Sequence, residues 1–166
     1  MTEVERILNQ LKRAYEGNAW PGLSVREALE GVTAEQATKR PLANVHSIWE
    51  LAHHIAVWED AVRRRLEGDR AQIALASLED WPPVGDQSEA AWERAKAALD
   101  CGHRELYDAI ARVSDSRLDE PILEGMSTVY VTLHGIVQHD LYHAGQISML
   151  KEGAGLIPSP VGRGLG

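Results

Sequence analysis

Seven histidines and one cysteine in a chain of 166 residues direct the search for chemistry to imidazole. An uncharged imidazole offers a lone pair near neutral pH, which makes histidine the commonest metal ligand. Cys101 stands alone, so an intrachain disulfide and a thiolate zinc cage are both excluded. His139 and His143 are four residues apart. If helical, they stack on one face and can grip one divalent ion without backbone strain. A third imidazole from another helix would leave positions for water or substrate. Such a set suits Zn, Ni, Fe or Mn, and intrinsic affinity order does not choose among them. His139-Asp140-Leu141-Tyr142-His143 also invites comparison with the His-Glu-x-x-His zinc hydrolase motif, whose Glu acts on metal-bound water. Asp140 is one methylene shorter and falls on the apolar side. It is better placed to hold an imidazole N–H or to bond across a core.

These residues need elements to position them, and the hydrophobic pattern is helical almost throughout. Val4, Ile7, Leu8, Leu11 and Tyr15 form one stripe, ending at Gly17. Ser24-x-x-Glu27 and Thr33-x-x-Gln36 read as capping boxes opening two short helices, with Pro41 closing the second. A long helix follows from the Ser47-x-x-Glu50 box to Gly68, with Ile48, Leu51, Ala52, Ile55, Trp58, Val62 and Leu66 inward. Trp81-Pro82-Pro83 and Gly85 mark a loop or crossover. A third long helix is expected over 88–113 and a fourth from near Thr132 to Gly153. The sum is an all-α four-helix bundle with short extra helices in the connections: one domain over 1–152, then a Gly/Pro-rich tail over 153–166. Periodicity leaves open whether the connections run up-and-down or cross over. Tryptophan is expected to supply the core bulk that phenylalanine does not, Trp58 also serving as a pocket wall, and Cys101 to be a buried, inert thiol within a helix.

A turn of ~100° per residue places each histidine against its helix's apolar centre. His54 lies about 90° from the centre of its stripe, on the shoulder of the buried face, while His53 lies about 170° away and His46 nearly so. On the fourth helix His143 is about 50° and His139 about 90° off centre, and His134 about 130°. His54, His139 and His143 are therefore the three expected to converge on one groove. His46, His53, His103 and His134 are left with surface or packing roles.

Ser47-Ile-Trp-Glu-Leu-Ala-His-His-Ile-Ala56, together with His139-Asp-Leu-Tyr-His-Ala-Gly-Gln-Ile147, resembles the motifs of the DinB-like (YfiT-like) metalloenzyme family. Ala19-Trp20-Pro21-Gly22 and Arg40-Pro41 are similar to it too, so the resemblance spans about residues 1–152. It implies a four-helix bundle binding a divalent metal, nickel or zinc first and iron or manganese next, through His54, His139 and His143. It also implies a homodimer. Better-understood relatives are bacillithiol or mycothiol S-transferases and a mycothiol-dependent maleylpyruvate isomerase. The resemblance therefore implies a metal-dependent enzyme of the thiol S-transferase type, with a small-molecule substrate and a low-molecular-weight thiol as partner. The alternatives are a metal-dependent hydrolase, a non-catalytic metal or small-ligand binding stress protein, and a purely structural bundle. Glu50 and Gln146 are candidate polar neighbours of the site, and Tyr142 is a candidate substrate contact.

Charge and targeting signals limit the partners. The net charge of −8 supplies no basic surface for nucleic acid. The family's name refers to damage induction, which is regulation and not binding. Arg63-Arg64-Arg65 reads as a solvated helix end. No apolar run approaches the ~18 residues that span a bilayer, and the acidic opening Met1 to Glu5 is followed by no signal-peptide core. A cytoplasmic protein is expected.

Overall fold

The computed structural model describes residues 1–70 and 72–153. Helices α1 (Glu3–Glu16), α4 (Ile48–Leu66), α5 (Glu89–Ala111) and α6 (Val129–Gly153) are long; α2 (Val25–Leu29) and α3 (Ala34–Thr38) are single-turn pieces between α1 and α4. A 3-10 turn (Asp115–Arg117) lies between α5 and α6. Among the described residues there is no strand, only an isolated bridge between Pro121 and Thr128. The tail beyond Gly153 lies outside the described residues.

Helix starts follow from side chains that satisfy the first free N–H groups. Ser24, Thr33 and Ser47 each complete the expected capping box, and Thr2 forms another with Glu5. Glu50 is spent there: one carboxylate oxygen accepts from Ser47 N at 2.8 Å and the other pairs with Arg40. The arginine run at the end of α4 complements the helix dipole and pairs with Asp60, Glu67 and Asp69, half-buried where a solvated end was expected. Helix α6 begins three residues before Thr132, because Thr128 Oγ1 accepts from Val131 N and caps the start. The β-branched residues Val129 and Val131 are poor helix formers, but Val129 is fully buried, and packing overrides propensity.

Tertiary packing answers the question that periodicity leaves open. Helices α4 and α1 each pack against α5 and α6, so the chain crosses the bundle between α1 and α4 and again between α5 and α6. The first crossing carries α2 onto α6 and α3 onto α4 and α5. The core is in two apolar clusters, one around Trp49, Ile55, Trp92, Leu99 and Ile147, the other around Leu11, Val62, Leu106, Ile110 and Leu133. Trp49 and Trp92 are buried, whereas Trp20 is 85% exposed, so it does not serve as core bulk. Cys101 is exposed on α5, contrary to the expectation of a buried thiol, because its position falls outside the inward line of Leu99, His103 and Leu106. No helix among the described residues is long and apolar enough to cross a membrane.

Candidate metal centre

His54 on α4 and His139 and His143 on α6 converge where these helices pack, with ligand atoms all within 4.8 Å of one another. His54 Nε2 and His139 Nε2 are 3.1 Å apart. The ring centroids of His139 and His143 are 4.4 Å apart, as expected for stacked residues one turn removed.

Outer contacts fix which nitrogen faces inward. His54 Nδ1 lies 2.9 Å from the Asp80 carbonyl and donates to it, so its Nε2 carries the lone pair. His143 Nδ1 donates to Gln146 Oε1 at 2.6 Å, with the same result. Gln146 is thus the polar neighbour expected from the sequence. Burial pushes the His54 pKa down and those of His139 and His143 down to about 4, neighbouring histidines adding to the shift at His143. All three are neutral near pH 7, the form a metal requires. The facing Nε2 atoms of His54 and His139 are satisfied by one N–H of His139 or by a cation taking both lone pairs. The donor set therefore fits a divalent ion.

The segment between α4 and α5 completes the surroundings, and here sequence reasoning missed two residues. Asp80 is 3% exposed and accepts from Trp58 Nε1 and Ala76 N, both at 2.8 Å, while its Oδ1 lies 3.1 Å from His54 Nδ1. Trp81 is sandwiched between His54, at 3.8 Å, and His46, at 3.6 Å. Neither residue belongs to a periodic element, so no spacing signal could place it. His46 therefore stacks on Trp81 while its side chain stays partly open to solvent. Trp58 stands beside the site as expected, its ring 6.3 Å from that of His54. Tyr142 is mostly exposed, its ring 5.1 Å from that of His143. His53 is turned away: its Nε2 accepts from Trp49 Nε1 at 3.0 Å and its Nδ1 contacts the Pro82 carbonyl at 3.3 Å. His134 packs beside Tyr130.

His103 departs furthest from expectation. It is 1% exposed, and its Nδ1 donates to Glu59 Oε1 at 2.8 Å. Its position between Leu99 and Leu106 on the inward face of α5 was the signal that could have found it. Asp140 is fully buried and faces Glu59 and His103, but neither of its oxygens has a hydrogen-bond partner, so the expected bond across the core is not made.

The orienting role of Asp80 can be measured. Asp80→Ala leaves the carbonyl that fixes the His54 tautomer but frees Trp58 and the loop. Metal affinity is expected to fall about 10–100-fold, as for other outer-sphere partners. Chelator competition reads this directly, and unchanged affinity would deny Asp80 the role.

No curated relative and no solved structure matches the chain. A family model, DinB superfamily, matches residues 24–147, from the cap of α2 through the paired histidines of α6. That span covers most of the chain, and with the all-helical bundle it establishes the assignment: this chain belongs to the DinB superfamily.

Proposed function

We propose that His54, His139 and His143 hold one divalent ion, nickel or zinc first, and that the protein is a metal-dependent transferase using a low-molecular-weight thiol. The observation that carries this reading is the convergence of three neutral imidazoles, two buried and one half-buried, the two buried ones with Nε2 lone pairs set by outer hydrogen bonds. A bound divalent ion would supply Lewis acidity that lowers the pKa of a thiol near it.

The chain's own residues do the positioning. Asp80 and Gln146 hold His54 and His143 in one tautomer, and the indoles of Trp58 and Trp81 exclude water from the His54 side. Neutral histidines leave the ion's full charge to stabilise an anion. In the transfer, the thiol gives up its proton to water and sulfur forms a bond to an electrophilic carbon; with an epoxide the opened oxygen takes a proton back from water. The departing halide, or the oxygen of an opened epoxide, takes the electron pair.

The test uses full-length protein purified without a nickel column and loaded with nickel or zinc. Chlorinated and epoxide electrophiles are offered with a panel of cellular thiols. Metal-dependent S-conjugates, lost on chelation, are the expected products by mass spectrometry. No conjugate with any thiol while metal is bound would sink the transferase, and turnover without thiol would move the reaction to hydrolysis.

A further inference from the structure

Between the two apolar clusters the core is interrupted by a polar layer. Each long helix supplies one residue to it: Tyr15 from α1, Glu59 from α4, His103 from α5 and Asp140 from α6. Glu59, His103 and Asp140 each sit between apolar neighbours on their own helix, as Glu59 does between Ile55 and Val62. Glu59 and Asp140 are fully buried and His103 is 1% exposed. One ligand atom from each of Glu59, His103 and Asp140 lies within 4.8 Å of the others.

The hydrogen bonding of this layer does not close. Its one internal bond runs from His103 to Glu59. Glu59 Oε2, both oxygens of Asp140 and His103 Nε2 are buried with no partner. The Tyr15 ring stacks on His103 at 3.7 Å, but its hydroxyl donates to Asp100, the carboxylate that Arg26 also binds. The remaining polar neighbour is His139, whose Nδ1 is 3.8 Å from Asp140 Oδ1. Among the described residues no lysine or arginine pairs with either buried carboxylate. Unpaired buried carboxylates are costly. One shared proton adds one donor between the two carboxyls and still leaves acceptor atoms orphaned. A cation takes several lone pairs at once and also neutralises the charge.

We propose that Glu59, His103 and Asp140 form a second, wholly buried cation site, separate from the three-histidine cluster and adjoining it through Asp140. Two carboxylates and one imidazole suit a divalent ion that accepts mixed oxygen and nitrogen donors, such as Mn(II), Fe(II) or Zn(II). Facing helices of a bundle are where such carboxylate–imidazole sites are built.

Mn(II) is the probe. The full chain carrying His54→Ala and His143→Ala is stripped with chelator and dialysed against Mn(II). It is expected to bind about one ion per chain, whatever the fate of the histidine cluster, and adding Glu59→Gln is expected to abolish binding. The Gln amide gives Asp140 a donor, so that variant should still unfold cooperatively. Mn(II) should raise the Tm of the parent and not of the Gln variant. A cooperatively folded parent that binds no Mn(II), or binding that survives Glu59→Gln, overturns the site. Wild-type crystals grown with Mn(II) decide independently of both histidine substitutions. An anomalous peak bonded to Glu59 and Asp140 supports the proposal, while two carboxyls in direct hydrogen-bond contact with no peak overturn it and identify a shared proton.

Discussion

Replacing His143 with alanine is expected to abolish stable metal binding at the three-histidine centre while leaving the fold intact. The loss removes one of only three donors, so the affinity penalty should exceed the about 10–100-fold typical of losing an outer hydrogen-bond partner. His143, like His54, is set for the role, buried and with Nδ1 tied, in its case to Gln146. His53→Ala is the matching control, because His53 is bonded to Trp49 and Pro82 and contributes nothing to the cluster. Isothermal titration of chelator-stripped protein with Ni(II) or Zn(II) separates the two. Equal affinity in wild type and His143→Ala would remove His143 from the site. A loss in His53→Ala as large as in His143→Ala would show that metal binding depends on more than these three side chains.

The second large effect is on stability against pH in the metal-free protein. His103, His139 and His143 titrate near 4 in the fold, chiefly through burial, against about 6.5 for an unfolded histidine. Between those values the unfolded chain binds protons that the folded chain refuses. Their contribution is full above pH 6.5 and is lost as pH falls toward 4. Glu59 and Asp140 act oppositely: burial, and for Glu59 the facing Asp140, push their carboxyls well above the ordinary range. Their contribution is full below the unfolded value and is lost as pH rises toward the folded one. Burial lowers His54 in the same sense, so the histidines outnumber the two carboxyls and the net sense on the acid side is loss of stability with acid. Where the buried carboxyls ionise, stability declines with rising pH. A stability maximum is expected between the acid loss set by the histidines and the alkaline loss set by the carboxyls. Urea unfolding from pH 4.5 to 8 in the presence of chelator measures the curve. Glu59→Gln should flatten the alkaline flank and spare the acid one, and a flat profile throughout would contradict the burial of these groups.

Much of the architecture was legible because it is written in local rules. The capping boxes at Ser24, Thr33 and Ser47 mark helix starts, since a side-chain oxygen three residues from its N–H partner needs nothing distant to act. The angular position of His54, His139 and His143 foretold their convergence, because helix rotation is fixed once the apolar face is known. The start of α6 was less legible, since its valines favour strands until burial of Val129 decides otherwise.

The sequence by itself determined four long amphipathic helices and the faces on which their histidines lie. Hydrogen bonding within one helix and the partition of apolar side chains from water are enough for that. The tertiary structure alone decided the two bundle crossings, the arrival of Asp80 and Trp81 beside His54, and the meeting of Glu59, His103 and Asp140 in the core. Each of these depends on contacts between residues far apart in the chain, where no periodicity links one partner to the other. Their energies come from burial and pairing that exist only once the helices have packed.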